Sequence, residues 1–404
     1  MKKYFALYFR NFDYPLFFTY IFLCIFGLVM IYSSSMMVAI VYEEESPDYF
    51  YKKQLLNLLF VAAPLFVIAA IMPYRRLSNK YLLGFLMIVM IVLEIWLTID
   101  GIGKEQTGSK SWINLFGLTT FQPSEYAKLF VIVYFAGSFY KKSLKKDSIQ
   151  SLTAEDIKFP IFIWLLILGC VSLETDIGAV GIIFVIAMSV VFASGMEGSA
   201  LRRLVTTIGG FGALVVGVLL LIKRDSIFNE SRLGRFTSYR NPFEYSDGSG
   251  HQVINGYYAI GSGGLEGKGL GQSVQKLGYL PEPQTDFIMA IIAEELGLLG
   301  VSIVIFGLGF IVLRGFWIAM VTKDPLARML ATGISTWIGL QTFINLGGLS
   351  GIIPLTGVTL PFISYGGTSI VLLSLAIGIL INVSTNYKLE KKSYRELRRN
   401  EVNQ

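Results

Sequence analysis

Apolar residues along this chain fall in long unbroken blocks separated by short polar connections. Ten blocks stand out, near residues 15–37, 52–72, 81–99, 122–140, 159–173, 177–195, 204–222, 287–313, 327–348 and 364–386. A helix rises ~1.5 Å per residue, so about 20 apolar residues cross the ~30 Å hydrocarbon core of a bilayer. Each block therefore predicts a spanning helix. A transmembrane barrel would need ~10-residue segments of alternating polarity, and these runs do not alternate. The polar remainder predicts irregular structure. Residues 223–286 form the longest polar interval, with turn chemistry at Asn241-Pro242 and Asp247-Gly248, and His251 to Ile260 read as a short amphipathic helix at the interface. Residues 347–367 (GGLSGIIPLTGVTLPFISYGG) are apolar but broken by Pro354, Pro361 and six glycines. Such backbone is tolerated at membrane depth only where protein buries it or water reaches it, so this segment is expected to wall a cavity. No internal repeat is visible.

Composition agrees. The 404 residues are 53% hydrophobic and 15% charged, with a mean hydropathy of +0.60, which excludes a soluble domain. Lys and Arg resist translocation, and here they collect in one set of connections. Lys2, Lys3 and Arg10 are followed by Arg75, Arg76 and Lys80, by Lys141, Lys142, Lys145, Lys146 and Lys158, by Arg202 and Arg203, and by Arg314, Lys323 and Arg328. The tail adds Lys388, Lys391, Lys392, Arg395, Arg398 and Arg399. Both termini are thus expected in the cytoplasm, with ten spans and Asp286 at the outer face. Residues 1–386 read as a single membrane domain, with an outer loop at 223–286, and residues 387–404 as a basic cytoplasmic tail suited to an anionic membrane surface. The net charge of +6 is explained by these clusters and implies no nucleic acid. Cys24 and Cys170 lie inside apolar blocks as small hydrophobic thiols, with no disulfide framework. The first block reads as a retained span rather than a cleaved signal.

Against this background the ionisable residues inside apolar blocks need explanation, since each costs about 2.5–3.5 kcal/mol at mid-membrane unless paired, wet or chemically used. Asp286, Glu294 and Glu295 fall within ten residues of one another. Asp286 follows the stiff Pro281-Glu282-Pro283-Gln284-Thr285 approach and is expected at the first position of a helix, where capping is its simplest role. On that helix Glu294 would share its face about 12 Å further along. Glu125 and Lys128 open the fourth block three residues apart, either as a self-satisfying pair or with Lys128 balancing Glu294 or Glu295 across a wet crevice. Arg232, Arg235, Arg240, Lys268 and Lys276 in the outer loop are candidates to hold phosphate. The glycine-rich run 261–271 lets backbone N–H groups approach an anion, a weak signal alone. No nucleotide fingerprint is present. Outside the cell ATP is unavailable in any case, so any bond made on the outer face must draw on a pre-activated substrate, such as a lipid-linked pyrophosphate. The lone His251 argues against histidine-based acid–base or metal chemistry. Glu174 and Asp176 either keep a short outer turn wet or line the cavity mouth.

These segments together resemble the SEDS proteins (shape, elongation, division and sporulation), most closely the cell-division members. The carriers are QPSEYAK at 122–128, residues 174–178, AIGSGGLEGKGLG at 259–271, PEPQTDFI at 281–288, EELG at 294–297 and PLTGVTLPFISYGG at 354–367. Three residues depart from the family pattern: Gln284 where His is usual, His251 where Tyr is usual, and Glu266 where Phe is common. Gln284 weakens any scheme that puts a histidine beside the aspartate. The resemblance implies an all-α polytopic membrane protein of ten helices that polymerises lipid II into peptidoglycan glycan strands at the outer face of the bacterial cytoplasmic membrane. It implies work at the division septum with a class B penicillin-binding transpeptidase and other divisome membrane proteins. The family's essential aspartate maps onto Asp286, and its fourth-span glutamate and lysine onto Glu125 and Lys128.

The implied reaction is an inverting transfer with Asp286 as general base. Lys128, Arg232, Arg235 and Lys268, with Glu125 beside them, are the candidates to meet the pyrophosphate. Glu294, Glu295, Ser364 and Tyr365 are expected to support the cavity. A divalent cation, magnesium or manganese, is a candidate to share the pyrophosphate, though no dense ligand cluster dictates one. The rivals are a lipid II flippase, an elongation-type polymerase, and a scaffold that only recruits a transpeptidase. Without the resemblance, the residues support only a polytopic membrane protein with an outward-facing polar cavity, either a transporter or a lipid-substrate enzyme.

Overall fold

A computed structural model describes residues 2–41, 43–102, 111–115, 119–145, 152, 154–174, 176–199, 201–207, 209–210, 239–246 and 250–402. The protein is an all-α polytopic membrane protein. A short helix α1 (Lys2–Arg10) precedes α2 (Tyr14–Val41), α3 (Tyr49–Ile71) and α4 (Lys80–Asp100). After a small hairpin of β1 (Ile113–Leu115) and β2 (Thr119–Phe121) come α5 (Pro123–Lys145), α6 (Ala154–Leu173) and α7 (Ile177–Ser194). The C-terminal half holds α8 (His251–Gly263), α9 (Ile288–Val321), α10 (Pro325–Leu349) and α11 (Gly367–Val402). Nine of the ten apolar blocks coincide with helices among the described residues. Of the block at 204–222, residues 204–207 and 209–210 are helical and the rest lies outside the described residues. By length and composition, α2, α3, α4, α9 and α11 are clear candidates to cross a membrane. The hairpin and α1 were not expected from the sequence, and α11 runs unbroken past the domain boundary expected at 386.

Local chemistry sets several of these boundaries. Asn79, Asp176 and Asp324 cap α4, α7 and α10, each accepting from a backbone N–H two or three residues on at 2.9 Å. Pro123 and Pro325 occupy first helical positions, where the missing N–H costs nothing. Helix α5 is apolar nearly all round and is enclosed from Leu129 to Phe139, as expected of a helix in the centre of a bundle. Helix α11 is the second enclosed helix, packed along α3. At the basic end of the bundle the fully buried Asp13 gathers Arg314 of α9 at 3.1 Å and Lys388 of α11 at 3.4 Å.

Helix α9 is broken at Gly297, whose φ of 58° and ψ of −150° belong to a region open essentially to glycine alone. The glycine-rich loop lies across the break and completes its backbone hydrogen bonds. Lys268 N–H and Gly269 N–H donate to the Glu294 and Glu295 carbonyls at 2.9 Å, and Leu298 N–H donates to the Leu265 carbonyl at 3.0 Å. Both glutamate side chains, fully buried, point into the same loop. Glu294 accepts from Lys268 Nζ at 2.6 Å, Ser273 Oγ at 2.5 Å and Val274 N–H at 3.1 Å. Glu295 meets Lys276 Nζ and Ser33 Oγ, each at 2.7 Å. A Cβ on Gly297 would stand 2.5 Å from Gly267 N and Leu265 O. Gly297→Ala is therefore expected to cost several kcal/mol, read as a lower melting temperature in detergent. Gly309→Ala on the same helix meets nothing within 4 Å and should leave melting unchanged or raise it.

Candidate active site

Asp286 sits one residue before the cap of α9, in the turn that closes the Pro281–Asp286 approach, rather than at the first helical position expected. Two segments meet there. The first is residues 281–286, in which Glu282 adopts a left-handed φ of 51°. The second is the broken stretch 350–366, in which Phe362 does the same at 64°. Such backbone costs on the order of 1–3 kcal/mol per residue and persists only where surroundings enforce it. Here the enforcement is a set of hydrogen bonds. Tyr365 N–H donates to the Gln284 carbonyl at 2.9 Å. Ser364 Oγ donates to the Thr285 carbonyl at 2.6 Å while accepting from Leu360 N–H at 2.8 Å. Asn345 Nδ2 of α10 donates to the Asp286 carbonyl at 2.9 Å and to the Val358 carbonyl at 2.7 Å. The half-buried Asp286 carboxylate lies over Gly357, where a Cβ would come 3.4 Å from Asp286 Oδ2.

The second cluster opens α5. Lys128, 1% exposed, donates to Glu125 Oε1 at 2.5 Å and to Gln341 Oε1 at 3.2 Å. Gln341 also accepts from Trp337 Nε1 at 2.7 Å and donates to the Thr359 carbonyl at 3.0 Å. Gln341 and Asn345 are one turn apart on α10, so a single helix face grips adjacent carbonyls of the 350–366 stretch. Through it the Lys128 and Asp286 clusters are joined.

Several expectations need correcting. Of the two readings of Lys128, the pair with Glu125 is present, while Glu294 and Glu295 are answered by Lys268 and Lys276 instead. Asp286 and Glu294 do not share a helix face, because Asp286 precedes the helix and Glu294 turns into the glycine-rich loop. Lys268, a candidate to meet the pyrophosphate, also pairs with Glu294, and Lys276 is buried against Glu295. Glu174 is buried rather than wet. Ser364 and Tyr365 stand at the Asp286 turn, with Tyr365 edge-on to Phe50 at 5.0 Å. Arg232 and Arg235 lie outside the described residues, and Arg240 is exposed. Sequence reasoning missed Gln341 and Asn345. Their only signal was two amides one turn apart in an apolar block, and nothing local said which carbonyls they would reach. Among the described residues no group of three or more His, Cys, Asp or Glu is arranged to hold a metal ion.

Beside these clusters, Glu174 at the end of α6 faces Glu94 of α4, with Asp176 and Cys170 close by. Burial first, then the Glu94 carboxylate, then Asp176 push the Glu174 carboxyl well above the usual carboxylate range. Burial also raises Asp176, against the pull of its cap to Ala179 and of Lys128.

Comparison with known proteins follows the same outline. Residues 14–389 match a family described as Cell cycle protein, which groups FtsW, RodA and SpoVE. A Bacillus subtilis protein named "Probable peptidoglycan glycosyltransferase FtsW" is 45% identical over 386 residues, covering 95% of this chain and 93% of the relative. "Stage V sporulation protein E" of the same organism is 37% identical over 361 residues, covering 89% and 93%. Among solved structures, a chain of a peptidoglycan synthase complex that coordinates polymerization and crosslinking superposes with a TM-score of 0.68 at 22% identity, covering 92% of this chain and 97% of that one. The rod shape determining protein RodA of Thermus thermophilus gives a TM-score of 0.62 at 23% identity, covering 92% and 96%.

Two outcomes follow from the electrostatics. Lys128→Met strands Glu125 in the core and is expected to cost about 3–5 kcal/mol, while Glu125→Gln/Lys128→Met together recover most of the loss in a detergent melting assay. The folded Glu174 keeps its proton after the unfolded chain has released it. Its contribution to stability therefore falls as pH rises from the ordinary glutamate value toward the raised one. Melting temperature should decline between about pH 5 and about pH 10, and Glu174→Gln should flatten that decline.

Proposed function

The chain belongs to the cell cycle protein family of FtsW, RodA and SpoVE, and we propose that it is a peptidoglycan glycosyltransferase in which Asp286 is the general base. The observation that carries the assignment of the base is the placing of a half-buried carboxylate in a turn tied down from both sides, at the N-terminal end of α9. A base has to be placed and ionised when its partner arrives, and a fixed turn spares the reorganisation.

The reaction is a single displacement on lipid II. The acceptor sugar hydroxyl gives its proton to Asp286 while its oxygen bonds to the anomeric carbon of the donor. The bond from that carbon to the pyrophosphate oxygen breaks, and undecaprenyl pyrophosphate leaves. One in-line displacement of an axial pyrophosphate leaves an equatorial glycosidic bond, hence inversion. With Gln284 beside Asp286, no histidine takes part in the proton transfer. Lys128 acts as a buried positive charge shared with Glu125, and Lys268 as one shared with Glu294. Arg232 and Arg235 are the remaining candidates for direct contact with the leaving group.

The fold shared with a chain of a peptidoglycan synthase complex supports a class B penicillin-binding transpeptidase as partner. The 45% identity to an FtsW favours work at the division septum over elongation or sporulation. Both termini lie in the cytoplasm in this reading, which puts Asp286 outside, with ten spans.

Glycan formation from labelled lipid II, with and without the cognate transpeptidase, tests the assignment. Asp286→Asn is expected to lose about 10²–10⁴ in rate while remaining folded. Normal polymer from that variant would sink the base assignment. No polymer from either protein, together with headgroup movement across vesicles, would favour the flippase.

A further inference from the structure

We infer that Asn345 is a positioning residue for the glycosyl transfer: its side-chain amide ties the turn that carries Asp286 to the Val358 segment and so sets where the carboxylate stands. The inference rests on the reading of Asp286 as general base.

Three observations converge on it. The two N–H bonds of one amide are spent on carbonyls from different segments, Asp286 at 2.9 Å and Val358 at 2.7 Å. An amide donates two hydrogens in a fixed plane, so the two carbonyls are held at a set separation rather than merely near each other. The residue preceding Val358 is Gly357, with φ of 73°, and the Asp286 carboxylate lies directly over it. Anchoring Val358 therefore also anchors the floor beneath the carboxylate. Finally, Asn345 stands on α10, a helix seated against both α9 and α7, and only 5% of it is exposed. One turn earlier Gln341 donates to the Thr359 carbonyl and accepts from Lys128 Nζ. A rigid helix thus holds the base on one side and the buried cation on the other, with the irregular stretch threaded between them.

Without Asn345 the other ties to the turn remain, namely Ser364 to Thr285 and Tyr365 to Gln284. The turn should stay folded but lose its alignment over Gly357. Misplacing a catalytic group by about 1 Å costs on the order of 10²-fold in rate. A loss confined to the transition state lowers kcat and leaves KM largely alone.

The experiment measures kcat and KM for lipid II polymerisation by Asn345→Ala, Asn345→Ser and Asp286→Asn in complex with the transpeptidase, with monodisperse elution and melting temperature recorded for each. Asn345→Ala should lose at least about tenfold in kcat with KM within about threefold, and Asn345→Ser, which keeps one donor, should recover part of the loss. If Asp286→Asn is inactive while both Asn345 variants keep kcat within about twofold, or change KM alone, the positioning role is wrong and the base assignment stands. If Asp286→Asn polymerises normally, both fail. Should Asn345→Ala not be recovered folded, Asn345→Ser carries the test, and loss of folded protein in both overturns the inference in favour of packing.

Discussion

Every polar group that this chain places at membrane depth has to be answered from within the protein, because hydrocarbon offers neither a hydrogen bond nor a counter-charge. That constraint organises the structure. The break at Gly297 leaves backbone groups of α9 without helical partners, and the glycine-rich loop supplies them. Glu294 and Glu295 stand in the same place for the same reason, each met by a lysine from that loop. They are the fasteners of a loop that covers a broken helix, and the loop's glycines let its backbone come close enough to serve.

The same requirement, met by neutral amides, builds the region around Asp286. Residues 350–366 are too irregular to satisfy themselves, so α10 reaches into them with Gln341 and Asn345. In closing that account the two amides also determine where the Asp286 turn and the Lys128–Glu125 pair stand. Structural satisfaction and site geometry are one set of bonds here. The enclosed helix α5 contributes by burying Lys128, so that its pairing with Glu125 takes place where water screens it little.

The spans were legible because their signal is local: a long apolar block has few options but to cross. Nine blocks became helices, seven of them within about five residues of the expected limits, while α9 and α11 run well past theirs; a helix also begins at His251, and residues 350–366 are irregular. Pairing was not legible in the same way. Lys128 was assigned to Glu294 or Glu295 as readily as to Glu125, because charge and burial are properties of single positions while a partner is a property of two. The paired strands β1 and β2 were invisible because three-residue strands carry almost no periodicity.

Taken alone, the sequence determined the all-α polytopic architecture and, through its resemblance, the residues worth testing. Hydropathy acts residue by residue along the chain, and motif spacing survives without coordinates. Only the tertiary structure decided that Lys268 and Lys276 serve Glu294 and Glu295, that Asp286 lies before its helix and over Gly357, and that Asn345 spans two segments. Those facts depend on which distant segments share space, and that is set by how the helices pack around α5, α10 and α11.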